Sequence, residues 1–321
     1  MISWSTDELR PHERFDHWCE VRSRNLFGVT ISLAPEERLS FRGRFSAVAA
    51  GNATLSEMRA SAYRVARSEA DIARAPSDAL CIYEQVGGAS WFDSRGSGQF
   101  VIRAGRLAIS HTERPYFTEP MTSRGFDLRV LKIPLEGRGD LAGAARGLHS
   151  ALIEHDPRLV TVLSAALRGF REEAAEEAGT DLGLAVDHLA CLALIAHGRL
   201  GRGAPESRAA LRFGFFNAAR AIIRRDLGRP DLSPQRIAGE LGISLRQVHL
   251  LFEPTGLSFS RTVLALRLAE ARRMLAERPA RQVTEIAFDC GFDSLSTFYR
   301  AFRLAHGMTA TDMRVAAALN G

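Results

Sequence analysis

The chain has 321 residues, enough for two domains with a core each, and its 46% hydrophobic and 25% charged residues are ordinary for a globular protein. Cys19, Cys81, Cys191 and Cys290 are scattered with no C-x-x-C spacing, which excludes a disulfide-stapled scaffold and fits a reducing compartment. The net charge of +5 is unevenly placed, because residues 211–321 hold sixteen Arg against ten Asp and Glu, so the basic excess lies wholly in the last third.

The longest apolar run, Leu189 to Ala196, is far below the ~20 residues of a membrane span, and Met1 to Arg10 is polar, so a cytoplasmic protein with no membrane partner is expected. Pro11 to Phe27 reads as an amphipathic helix, with Phe15, Trp18, Val21 and Leu26 on one side. From Leu39 to Pro134 the pattern changes to short β-favouring segments between turn signals: 41–48, 53–58, 62–67, 80–86, 91–92, 100–103, 107–110 and 126–133. Such strands suggest a sandwich or small barrel. Helical periodicity returns at Leu141 to Leu152, Pro157 to Glu177 and Leu182 to Leu200. Gly198 to Ser207 is rich in Gly and breaks the pattern, which sets a linker at 201–210.

Beyond the linker the same short pattern occurs twice. Ile237-Ala238, three residues, Gly242-Ile243, then Val248 and Leu251-Phe252 is echoed by Ile286-Ala287, three residues, Gly291-Phe292, then Phe298 and Ala301-Phe302. Each copy predicts two short helices joined at a glycine, where a Cβ would crowd the turn. Ser233-Pro234 is a helix start, and Ser244 with Gln247 is a capping-box pattern. Ser258 to Arg278 has no internal Gly or Pro and stops at Pro279, so it predicts one connecting helix. At 1.5 Å per residue that helix runs roughly 30 Å, close to the ~34 Å between successive major-groove faces on one side of B-DNA.

Residues 211–318 resemble the two-motif DNA-binding domain of the AraC/XylS family of bacterial transcription regulators, through Gly291-Phe292-Asp293-Ser294, Phe298-Tyr299-Arg300-Ala301-Phe302-Arg303 and Gly307. Two positions depart from the family pattern: Ala310 stands where a proline is usual, and Leu250 where the first recognition helix commonly has a basic residue. Phe41-Arg42-Gly43, Arg67-Ser68, Gly105, the run from Thr112 to Tyr116, and Ile133-Pro134 resemble the effector-binding region of one branch of that family. The resemblance implies an α+β protein: a β-sandwich or barrel-like sensor and dimerisation domain at 1–200 (β-rich 39–134, helical 138–200), and an all-α double helix-turn-helix domain at 211–321. It also implies promoter DNA and RNA polymerase as partners, an unidentified small-molecule effector, and a homodimer. Helices 138–200 either mediate dimerisation or close the first domain's core.

With apolar faces assigned to the repeat, the opposite faces present Arg246, Gln247, His249 and Leu250 in the first copy and Leu295, Ser296, Thr297, Tyr299 and Arg300 in the second. Arg can pair with guanine, Gln with adenine, and Leu can touch thymine methyls. In the first domain Arg67, Tyr83 and Trp91 are candidate ligand contacts for a small carboxylate or aromatic compound. No catalytic residue, cofactor or metal site is expected. Gly96-Ser97-Gly98 lacks nucleophile-elbow spacing, Gly137, Gly139 and Gly143 are spaced one residue too long for a dinucleotide loop, and His111 is the only histidine between Asn25 and Arg146. Two rival readings are a first domain that only dimerises and an enzyme domain fused to a DNA-binding one.

Overall fold

The computed structural model describes residues 2–21, 28–176, 182–278 and 280–319. The chain divides into two compact units, Met1–Gly214 and Phe215–Gly321. In chain order the strands are β1 (Ile2–Ser5), β2 (Thr30–Ser32), β3 (Gly43–Ala50), β4 (Ala53–Ala60), β5 (Arg64–Arg67), β6 (Ala79–Gly87), β7 (Ala89–Asp93), β8 (Gln99–Arg103), β9 (Leu107–His111), β10 (Tyr116–Pro120), β11 (Phe126–Pro134) and β12 (Ala151–Leu152). They form a seven-stranded sheet in the order β1-β3-β4-β11-β6-β9-β12 and a five-stranded sheet in the order β2-β5-β10-β7-β8, antiparallel throughout. The two make a barrel-like pair that does not close.

Period-two alternation decides which side chains lie between the sheets. Phe126, Leu128, Val130 and Lys132 alternate along β11, and Lys132 sits opposite Cys81, which sits opposite Ser110. Phe45, Met58, Tyr83 and Ala108 from the larger sheet meet Val65, Phe92, Ile102 and Tyr116 from the smaller one in a single core. Trp18 is fully buried in it and packs on Gly43, where any Cβ would stand 2.4 Å from the indole ring.

All eight expected strand segments are strands, with ends shifted by a residue or two. The four others were hidden for a physical reason. β1, β2 and β12 have four, three and two residues, too few to carry a period, and become strands by pairing with β3, β5 and β9. β10 ends in a proline. The expected helix at 141–152 is corrected. Gly147, with φ of 73°, ends the helical stretch after α3 (Gly139–Ala145), and 151–152 join the sheet. The expected helix at 11–27 is α-helical at α1 (Arg14–Cys19), and 22–27, including Leu26, lie outside the described residues.

A short α2 (Glu69–Arg74) follows β5. After β12 come α4 (Pro157–Glu176), α5 (Leu182–Ala196) and α6 (Pro205–Arg225). Ten residues of α5, Ala185, Val186 and the run from Leu189 to Ala196, are buried, so α5 closes the core of its own unit. The stretch expected as linker, 201–210, is helical from Pro205, and the two units divide within α6. The first half of α6 belongs to the first unit because Gly214 lies against Val162 and Leu192, where a Cβ would stand 2.6 and 2.7 Å away.

The second unit is helical: α7 (Pro234–Leu241), α8 (Leu245–Phe252), α9 (Phe259–Glu277), α10 (Val283–Asp289), α11 (Leu295–His306) and α12 (Ala310–Leu319). Phe252 meets Phe216 and Phe259 at 5.4 and 5.6 Å between ring centroids in the first motif. Phe292, Phe298 and Phe302 pack with Leu268 and Leu275 of α9 in the second. A fully buried phenylalanine contributes about 1.5–3 kcal/mol, so this cluster gives each short motif a core that its own eight to twelve helical residues lack.

Candidate nucleic-acid interface

Each motif closes its first helix in the same way. Gly242 (φ 62°) follows α7, and the Ile243 N–H donates to the Ala238 carbonyl at 3.0 Å; Gly291 (φ 84°) follows α10, and the Phe292 N–H donates to the Ala287 carbonyl at 3.1 Å. Both are the six-residue bond of a helix ended by a left-handed residue, which satisfies a carbonyl left over by the last turn. α8 opens on a complete capping box: the Gln247 N–H donates to Ser244 Oγ at 3.2 Å and the Ser244 N–H to Gln247 Oε1 at 2.8 Å. α11 opens at Ser294 without such a cap; its hydroxyl pairs with that of Ser296 at 2.8 Å.

Val248, Leu251 and Phe252 point into one core, Phe298 and Phe302 into the other. The opposite faces carry matching stripes at i, i+3, i+4 and i+7: Arg246, His249, Leu250 and Glu253 on α8 and at its end, and Ser296, Tyr299, Arg300 and Arg303 on α11, all exposed. Gln247 and Thr297 are exposed beside them. Two expected contacts change in character. Leu295 is half-buried and packs on the second core, so it has little surface for a base. Gln247 spends its carbonyl oxygen on the cap, leaving its NH2 free and making a two-bond pairing with adenine incompatible with an intact capping box. Arg303 was missed by sequence reasoning; its spacing of seven from Ser296 is the signal that finds it.

Two groups stand out among the arginines of the second unit. Arg225 bridges Asp226 at 2.9 Å and Glu240 at 2.7 Å, Arg236 reaches Asp226 at 3.2 Å, Arg229 holds Asp231, Arg273 holds Glu270 and Glu277, and Arg281 holds Asp289. The Arg225 guanidinium, then that of Arg236, holds the Asp226 carboxyl down to about 2. By contrast Arg246, Arg261, Arg272, Arg278, Arg300 and Arg303 are exposed and make no salt bridge among the described residues. Three of these six lie on α8 and α11. Their charge is not already neutralised by protein, which is what phosphate or guanine recognition requires.

Of the three candidate ligand residues of the first unit, Arg67 and Tyr83 both interact with Cys81, and Trp91 does not join them. Arg67 is 2% exposed, and its guanidinium donates to three carbonyls, of Thr112 at 2.6 Å, Gly28 at 2.5 Å and Ala75 at 3.1 Å, so it clamps three loops. Tyr83 faces the core, its hydroxyl 2.9 Å from Ser110 Oγ. Trp91 alternates with the inward Ser90 and Phe92, lies on the other face of β7, and meets Phe117 edge-on. The inner face does bring Lys132, Cys81 and Ser110 into one cross-strand row, and the Tyr83 hydroxyl reaches Ser110 from the next. Burial pulls the Lys132 ammonium below its ordinary pKa, and Arg67 adds to this. Among the described residues no group of three or more His, Cys, Asp or Glu could hold a metal ion, and no helix is long and apolar enough to cross a membrane.

Two family descriptions match the chain: an AraC-binding-like domain over residues 18–197, more than half of the length, and a helix-turn-helix domain over residues 237–316. The chain belongs to the AraC family of transcription regulators. This AraC-family chain is similar to the transcriptional activator NphR of Rhodococcus sp, 27% identical over 314 residues, which cover 96% of this chain and 90% of that one. It is also similar to the transcriptional activator RhrA of Rhizobium meliloti (strain 1021), 35% identical over 97 residues, only 31% of that protein. Among solved structures the AraC-like transcriptional activator CuxR shares the fold, with a TM-score of 0.53 at 20% identity, covering 90% of this chain and 99% of that one. The AraC-family assignment, with a helix-turn-helix domain spanning α8 and α11, sets aside the enzyme reading.

Proposed function

We propose that this protein is a cytoplasmic transcriptional activator that reads two adjacent major grooves of promoter DNA with α8 and α11, contacts RNA polymerase there, and works as a homodimer through its first unit. The observation that carries the reading is the repeated stripe on the two recognition helices, exposed and, among the described residues, free of salt bridges at Arg246, Arg300 and Arg303. The names of the relatives favour activation. Arg246, Arg300 and Arg303 supply guanine or phosphate bonds, His249, Ser296 and Thr297 supply single hydrogen bonds, Leu250 supplies a methyl contact, and Gln247 contributes through its NH2. Selection of bound sequences from random duplexes, followed by footprinting, is expected to yield a site with two protected major grooves per protomer, about one turn apart. Protection of one groove only, or no selected sequence, would refute it. Sedimentation is expected to give a dimer for the chain and a monomer for a fragment holding only residues 205–321.

Sensing by the first unit is the second half of the proposal. Lys132, on the inner face beside Cys81 and in line with Ser110, favours a small organic acid. A panel of metabolite acids is expected to raise the melting temperature of the chain and change its affinity for the selected site, and Lys132→Met is expected to abolish both responses. Acids that shift the variant as much as the parent would remove Lys132 from the site. Silence across the panel would favour a first unit that only dimerises.

A further inference from the structure

The connector that leads from α6 into the first motif touches the second motif at a place other than α9. The segment after α6, Leu227-Gly228-Arg229, lies directly on the turn between α10 and α11. A Cβ on Gly228 would stand 2.4 Å from the Asp289 carbonyl oxygen, and one on Gly291 would stand 2.6 Å from the Leu227 carbonyl oxygen. Arg267, from the middle of α9, pins this contact: its Nε donates to the Leu227 carbonyl at 3.1 Å and its Nη2 to the Arg229 carbonyl at 2.9 Å. The same Nη2 would stand 2.7 Å from a Cβ on Gly291, so all three segments meet at one point. Arg267 is half-buried and spends these donors on backbone, unlike the exposed arginines of α8 and α11.

A helix on its own fixes how far apart two attached motifs lie, but it bends along its length. A second contact away from its axis removes that freedom. We propose that Arg267, with Gly228 and Gly291, sets the spacing and rotational phase at which the protein accepts its two DNA subsites, and so is a positioning residue for specificity. The proposal rests on the two-groove reading above. One inserted base pair moves the second subsite by about 3.4 Å and turns it by about 35° about the duplex axis, an error that a fixed pair of helices cannot absorb.

The test uses the full chain and a site selected from random duplexes, with versions carrying one extra base pair between the subsites and versions holding each subsite alone. Joint engagement of two linked modules is worth about 10²–10⁴ and is lost where geometry forbids it, so the insertion is expected to weaken the parent about 100-fold. Arg267→Ala removes the pin, and Gly228→Ala drives a methyl into the Asp289 carbonyl with Arg267 intact. Both are expected to bind single subsites as the parent does, yet to lose about tenfold or less on insertion, because a looser pair adapts. Arg267→Lys keeps the charge and at most one well-aimed bond, and is expected to fall between. Folded Ala variants that keep the parent's insertion penalty would overturn the proposal. Loss of fold in all three variants, seen by circular dichroism, would make the contact a folding requirement and would overturn it as well. A parent that tolerates the insertion, or binds one subsite as tightly as the whole, would instead refute the two-groove reading.

Discussion

Arg300→Ala is the substitution on which the assignment of roles to the two recognition helices turns. Arg300 is exposed on α11 and makes no salt bridge among the described residues, so truncation breaks no bond within the free protein and its cost appears in the complex. A good bidentate arginine to guanine pair is worth about 1–3 kcal/mol, which is roughly 5- to 150-fold in affinity. The loss is expected at one base position only, where the preference for guanine flattens. The matching place in α8 is Leu250, 39% exposed. Covering all of that surface is worth no more than about 1.5 kcal/mol at 25 cal/mol/Å², so Leu250→Ala is expected to cost less than Arg300→Ala. Leu250→Arg adds a cation near phosphates where Glu253 now repels them. It is expected to raise affinity for most sequences and to steepen the slope of log affinity against log salt by about 0.9. Binding series on the selected site and its single-base variants, at two salt concentrations, measure all three. Unchanged specific affinity in Arg300→Ala, together with its loss in Leu250→Ala, would reverse the roles given to α8 and α11.

Other substitutions test the parts that hold these surfaces. Ser244→Ala breaks the capping box of α8 and is expected to destabilise the second unit by about 0.5–2 kcal/mol, seen as a lower denaturant midpoint; an unchanged midpoint would show that the cap bonds are idle. Arg67→Ala leaves the carbonyls of Thr112, Gly28 and Ala75 without their donor inside the first unit, and is expected to cost about 3 kcal/mol or more, whereas a ligand-contact role predicts a stable protein with altered effector response. Asp226 has its pKa lowered from 3.8 to about 2, chiefly by Arg225. Its contribution to stability is therefore fully present above pH 4 and is lost as pH falls towards 2. Asp226→Asn is expected to flatten the acid limb of the stability curve of a 205–321 fragment there, and an unchanged limb would place the acid sensitivity elsewhere.

Much of the second unit was legible because its signals are local. Ser233-Pro234, Ser244 with Gln247, and Ser258 bound helices wherever the chain goes afterwards, and Gly242 and Gly291 announce turns that only a residue without a Cβ enters cheaply. The first unit was legible only as far as alternation reaches. A three-residue strand such as Thr30–Ser32 is made by its neighbour β5 and not by its own residues. Lys132 could have been found, since it stands in phase with Phe126, Leu128 and Val130, and a charged residue on the apolar phase of a strand faces inward.

What period cannot reveal is which polar groups are already spent. Arg67 and Arg300 look equivalent in a string of letters; folding surrounds one with three carbonyls and leaves the other exposed. Gln247 was visible both as a cap and as a base reader, and the bond from the Ser244 N–H shows that its carbonyl oxygen serves the first. Arg267 carried no signal at all, because its partners Leu227 and Arg229 lie some forty residues away and offer only backbone. A guanidinium held by carbonyls can fix one segment against another, whereas an exposed one can meet a phosphate or a guanine edge. The division of labour among the arginines of the second unit is therefore set by which partners the fold brings to each, and the positions proposed to read DNA are those that it has left over.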